Sequence, residues 1–145
     1  MLTRAQLSEI SRREGVPLHA IERDYVQHLM LRHIPRPFVF KGGTCLRIAY
    51  GRPRYSEYLD FNANSTFSEV GELLHTAARR LGDYGISPEV TAESPSKINH
   101  LAKLRYEGPL FDGNPRSRGS TRLDVSLRGE EVTTEAKFVP RTPYS

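Results

Sequence analysis

Four consecutive residues, Lys41-Gly42-Gly43-Thr44, follow the apolar run Phe38 to Phe40 and precede the short apolar segment Cys45 to Tyr50. A strand that ends in two glycines and opens a helix leaves unpaired backbone N–H groups above the helix N-terminus, where the helix dipole favours anions. A phosphate suits that position. The same four residues also suit an ordinary strand-to-helix turn, and they lack the longer glycine and lysine spacing of a P-loop. Downstream, Tyr58 to Phe61 reads as a strand in which Tyr58, Asp60 and Asn62 share one face while Leu59 and Phe61 point into the core. Asp60 therefore stands beside the phosphate cradle. Asp124 occupies the polar side of a second alternating run, Arg122 to Leu127, whose Leu123, Val125 and Leu127 point inward. Two neighbouring strands of a twisted sheet could bring Asp60 and Asp124 to one Mg²⁺, which takes one or two protein carboxylates with phosphate and water. As two solvated aspartates they would contribute little. Ser56 could hold a phosphate oxygen or simply cap a turn. The five histidines, His19, His28, His33, His75 and His100, show neither metal-ligand spacing nor a Ser-His-Asp arrangement.

Lys41-Gly42-Gly43-Thr44, followed after a short helix by Arg54-Tyr55-Ser56-Glu57-x-Leu59-Asp60-Phe61, resembles the nucleotidyltransferase-like toxins of the AbiEii group, which are related to the mycobacterial MenT toxins. The resemblance implies a polymerase-β-like fold that uses a nucleoside triphosphate and Mg²⁺, with RNA, in particular the acceptor end of tRNA, as the substrate and a cognate antitoxin as partner. It assigns Lys41, Gly42, Gly43, Thr44 and Ser56 to the nucleotide, Asp60 and Asp124 to the metal, and Lys103 to the triphosphate charge. It also gives Ser56 a place at the catalytic centre. Arg52, Arg54, Arg116, Arg118 and Arg122 would form a basic rim for RNA phosphates, or serve solubility alone.

Two departures stand against that pattern. The group reads Ser-Glu-Asp-Leu-Asp, so its first strand carboxylate falls at position 58, here Tyr58. Two-metal phosphoryl chemistry wants both strand carboxylates on one face, within reach of ions roughly 3.5–4 Å apart. A phenol, with an ordinary pKa of about 10, stays protonated at neutral pH and offers no charge. Glu57 is turned to the opposite face. The expectation is a crippled site, or a non-catalytic module that keeps nucleotide, RNA or antitoxin affinity, or a structural remnant. The group also continues into a C-terminal helical lobe that this chain ends before, so residues 1–145 read as a single N-terminal lobe.

The elements that must position these residues are legible in order. Thr3 and Gln6 have capping-box spacing, predicting a helix from Arg4 to about Arg13 that stops at Gly15. Pro17 suits the first turn of a second helix, ended near His33 by Pro35 and Pro37. Leu18, Ile21, Tyr25, Leu29 and Met30 form its apolar stripe, with Glu22, Arg23, Asp24, Gln27 and Arg32 on the other side. After the central stretch, a helix starts at 65–69 and runs to Gly82 or Gly85. Strands follow at Ile86 to Thr91, Ile98 to Tyr106 and Arg122 to Leu127. In the middle one, alternation separates Leu101, Lys103 and Arg105 from Ala102, Leu104 and Tyr106 without saying which face is inside. The order predicts an α/β or α+β fold, a mixed sheet flanked by helices.

Composition agrees. At 145 residues with 37% apolar and 26% charged content, the chain is of globular type. A net charge of +4 and a pI of about 9.4 favour polyanionic partners. The one cysteine, Cys45, permits no internal disulfide and reads as a buried small residue in a reducing cytoplasm. No leader pattern or long apolar run argues for secretion or a membrane span.

Overall fold

The computed structural model describes residues 1–35, 38–50, 55–93, 96–127 and Tyr144, with backbone alone for 46, 47, 49 and 50. Helix α1 (Arg4–Glu14) begins with the predicted capping box: Thr3 Oγ1 accepts from Gln6 N at 3.2 Å and Gln6 Oε1 accepts from Thr3 N at 2.8 Å. It ends at Gly15, whose φ of 67° is a left-handed cap. Helix α2 (Leu18–His33) follows Pro17, which sits just before the helix rather than in its first turn. Then come β1 (Val39–Lys41), α3 (Gly42–Tyr50), β2 (Tyr58–Asn62) and α4 (Phe67–Arg79), the last capped by the Thr66 hydroxyl. A 3₁₀ turn (Arg80–Tyr84) leads to β3 (Ser87–Ala92) and β4 (Asn99–Glu107), and a second (Pro115–Ser117) to β5 (Gly119–Ser126).

The strands form one mixed sheet in the order β1-β2-β5-β4-β3. β2 and β5 run parallel, while β1–β2, β5–β4 and β4–β3 are antiparallel. A parallel pair requires a crossover connection, and α4, β3 and β4 supply it. Alternation sorts the two faces. Leu59, Phe61, Ala102, Leu104, Tyr106, Leu123 and Val125 are buried against α2 and α4. Leu101 and Arg105 are exposed and Lys103 half-buried, so the face that β4 shows to the core is Ala102, Leu104 and Tyr106.

Much of the polar side expected of α2 does not face water, although Arg32 is exposed. Glu22, Asp24 and Gln27 are 1–2% exposed. Each has a partner that periodicity cannot reveal: the Glu22 carboxylate accepts from Leu110 N at 2.8 Å, Asp24 accepts from the Tyr144 hydroxyl, and Gln27 reaches the chain before β2. Buried polar groups persist where such bonds replace those to water. Cys45 is half-buried, and burial pushes its thiol up.

Candidate active site

The site is built on the solvent-facing side of the sheet, where β1, β2 and β5 meet. Lys41 is the register partner of Asp60 across β1–β2, and Asp60 that of Asp124 across β2–β5. Residues opposite one another project from the same face, so the two acids stand side by side on strands about 4.8 Å apart. Their proximity is visible electrostatically. Burial pushes the Asp60 carboxyl above the usual range, the Asp124 charge pushes it further, and Lys41 opposes both. Asn99 Nδ2 donates to Asp124 Oδ1 at 3.1 Å, orienting that carboxylate and leaving its other oxygen for a ligand.

The glycine elbow closes onto this pair. Gly42 has φ of 82°, and a Cβ there would lie 2.5 Å from Asp60 Oδ2. Only a residue without a side chain lets the start of α3 come so near the acid. The first-turn N–H groups of α3 have no intrahelical acceptor, an arrangement that favours an anion. Thr44, expected to touch a nucleotide, is fully buried and its hydroxyl donates to the carbonyl of Tyr58. That hydroxyl ties α3 to β2 instead of meeting a ligand. Ser56 Oγ accepts from Tyr58 N at 3.1 Å, which is the turn-capping role.

Behind the acids, Gln27 Nε2 donates to Ser56 O at 2.9 Å and to Thr121 Oγ1 at 3.1 Å, and the Thr121 hydroxyl donates to Glu57 O at 2.8 Å. This buried chain fixes the entry of β2 against β5. Sequence reading missed both Gln27 and Asn99. Asn99 shares the parity of Leu101 and Lys103, a signal that could have placed it on the site face.

The remaining site-face residues are Tyr58, 44% exposed, with Arg122 opposite it and Lys103 opposite Arg122. β2 keeps its register, so Tyr58 and not Glu57 stands two residues before Asp60 on this face; Glu57 instead lies 4.0 Å from Arg23 of α2. The five arginines do not form one rim. Arg116 and Arg118 lie before β5, roughly 20 Å along the strand from Asp124, and Arg118 is bound to Glu107 at 2.7 Å. Arg122 alone of the described three lies beside the acids; Arg52 and Arg54 fall outside the described residues. No group of three or more His, Cys, Asp or Glu able to hold a metal occurs among the described residues.

Two carboxylates with free oxygens, repelling each other beside a cradle that a Cβ would fill, fit a single divalent ion completed by substrate phosphates. They do not fit two ions, because Tyr58 stands where a further carboxylate would be needed.

Residues 24–143 match the family described as nucleotidyl transferase AbiEii toxin, type IV toxin–antitoxin system. Among solved structures, JHP933 from Helicobacter pylori is similar with a TM-score of 0.62 and 21% identity, over 83% of this chain and 49% of that one. MenT4, a nucleotidyltransferase toxin from Mycobacterium tuberculosis, is similar with a TM-score of 0.56 and 24% identity, over 88% of this chain and 44% of that one. The chain thus spans about half the length of these structures, and the likeness shows the fold. No protein of curated function matches. No helix among the described residues is long and apolar enough to cross a membrane.

Proposed function

The chain belongs to the AbiEii family of nucleotidyl transferase toxins, and on that premise we propose that its sheet face binds a nucleoside triphosphate and directs nucleotide transfer to the 3′ end of an RNA, in particular tRNA. The observation that carries this reading is the parallel register of Asp60 with Asp124 beneath the Gly42 elbow. The first-turn N–H groups of α3 hold the triphosphate, and Lys41, opposite Asp60, balances its charge from the β1 side of the acids. Asp60 and Asp124 would hold Mg²⁺, which when bound offsets charge on the phosphates. The RNA 3′-hydroxyl forms a bond to the α-phosphorus, the bond from that phosphorus to the bridging oxygen breaks, and pyrophosphate leaves. Asp60, which faces the elbow, accepts the hydroxyl proton. The protein works in the cytoplasm and is restrained by a cognate antitoxin.

A second reading has its own observation. Tyr58 puts an exposed phenol on the face where two-ion chemistry needs a carboxylate, which favours a module that binds nucleotide or RNA without turnover. Incubation with labelled triphosphates, Mg²⁺ and total RNA separates the two. Label on RNA from the natural chain, lost in Asp60→Asn, supports transfer. Label from Tyr58→Asp alone supports a binding module on an intact frame. No label from either, with no triphosphate-dependent rise in melting temperature, refutes the nucleotide site.

A further inference from the structure

The open sheet face carries a second row of side chains parallel to the acids. Tyr58 pairs with Arg122, Arg122 with Lys103 and Lys103 with Thr91, so an aromatic ring and two cations stand in line across three strands, with Thr91 on the fourth. Neighbours in this row are about 4.8 Å apart, and the acid row of Asp60, Asp124 and Leu101 runs alongside it about 7 Å away. A single exposed tyrosine is ordinary on a protein surface. Its alignment with two cations is not explained by packing.

The backbone of Tyr58 is fixed at both ends, its N–H by Ser56 Oγ and its carbonyl by the Thr44 hydroxyl, so the ring is presented from a rigid base. Arg122 is tethered through its N–H to Glu57 O at 2.9 Å, while its guanidinium meets Glu93 at 3.5 Å. That pair is about half exposed on both sides and is readily exchanged for another anion. Lys103 makes no ion pair among the described residues. The elbow and Lys41 lie on the β1 side of Asp60, whereas this row leads from β2 towards β3. The row therefore begins at Tyr58, beside the start of α3, and leads away from it across β5 and β4.

From this juxtaposition we propose that Tyr58, Arg122 and Lys103 form the track for the acceptor: a single-stranded RNA 3′ end whose terminal base stacks on Tyr58 and whose backbone phosphates lie on Arg122 and Lys103. The inference rests on the nucleotidyltransferase reading and supplies its second substrate with a place. An aromatic platform joined to a line of cations is how single strands are held without reading sequence. It also gives Tyr58 a use at a position where a carboxylate would repel the incoming phosphates.

The test is fluorescence anisotropy of a labelled single-stranded oligoribonucleotide with the 145-residue chain over a series of KCl concentrations, without triphosphate. Tyr58→Phe should keep the affinity and Tyr58→Ala should lose about tenfold, the effect of one base stack. Replacing Arg122 and Lys103 together by Ala should flatten the slope of log affinity against log salt by about 1.4, the share of two phosphates on a single strand. In parallel, the rise in melting temperature caused by ATP with Mg²⁺ should be unchanged in Tyr58→Ala, which also shows that the variant folds. RNA affinity indifferent to Tyr58→Ala, or a salt slope unmoved by the double variant, overturns the track. So does a Tyr58→Ala variant that weakens ATP and not RNA, since the ring would then serve the incoming nucleotide. If ATP produces no shift in the natural chain, the nucleotide site fails instead, separately from the RNA result.

Discussion

Exchanging Gly42 for alanine probes the contact on which the site depends. The backbone there has φ of 82°, and an L-residue in the left-handed region costs about 1–2 kcal/mol. The new Cβ would stand 2.5 Å from Asp60 Oδ2 and 3.1 Å from Asp60 Cβ and Cγ, so the carboxylate must swing away. Gly43 is the internal control. A Cβ added there would meet no heavy atom within 4 Å, and its φ is not positive, so Gly43→Ala should be neutral or stabilise by about 0.4–1 kcal/mol through the unfolded chain. Two adjacent glycines of one helix start are thus expected to differ by about 1.5–3 kcal/mol, or about 4–10 °C in melting temperature for a chain of this size. Chemical denaturation and thermal melting read the difference, and a divalent cation should stabilise Gly43→Ala but not Gly42→Ala. Equal stability of the two variants within about 0.5 kcal/mol would refute the close approach of the elbow to Asp60.

Further expectations follow from charge and burial. Because the Asp60 carboxyl is raised in the fold, the folded state holds its proton longer than the unfolded one, so ionisation costs stability as pH rises through the ordinary carboxylate value and beyond. Asp60→Asn should therefore melt higher than the natural chain at pH 7 without divalent cation, and the gain should vanish near pH 3.5; a lower melting temperature at pH 7 would contradict it. His100 is 2% exposed, packs on Phe67 with ring centroids 4.1 Å apart, and has no partner for Nδ1. Burial lowers its pKa, so the unfolded chain takes up the proton first and stability falls as pH drops below about 6.5. His100→Leu should flatten melting temperature against pH between 7 and 5, and an unchanged slope would exclude this histidine as the cause. Glu22→Ala leaves the Leu110 N–H without its acceptor and should cost about 1–3 kcal/mol in urea unfolding, whereas Glu22→Gln, which keeps an acceptor, should cost less. Equal losses would show that the bond to Leu110 is unimportant.

Local rules made the element order readable. The Thr3–Gln6 box, the Gly15 stop and the alternation of β2 and β5 are short-range signals, and the strands and helices lie within a few residues of where those signals put them. What escaped depended on pairing at long range. Whether β4 turns Ala102 or Lys103 inward is settled by helices elsewhere in the chain. The burial of Glu22 needs Leu110, and that of Gln27 needs Ser56 and Thr121. At the site, Asp60 and Asp124 could be placed on polar strand faces by parity, but their adjacency required β5 to lie beside β2 and parallel to it. The same strand direction carries Arg116 and Arg118 to the far end of the sheet, which no count of basic residues could foresee. Thr44 looked like a ligand group because it belongs to the glycine elbow, yet its hydroxyl serves the helix–strand joint.

The parallel pairing of β2 with β5 also imposes an order of assembly. β1, the elbow and β2 leave the ribosome early, but the partner of Asp60 arrives only with the closing strand, after α4, β3 and β4 have been made. A nascent or clipped polypeptide that stops short of Gly119 has Asp60 without Asp124 and a sheet with a gap in its middle. Synthesis must run nearly through residue 126 before Asp60 and Asp124 can stand side by side.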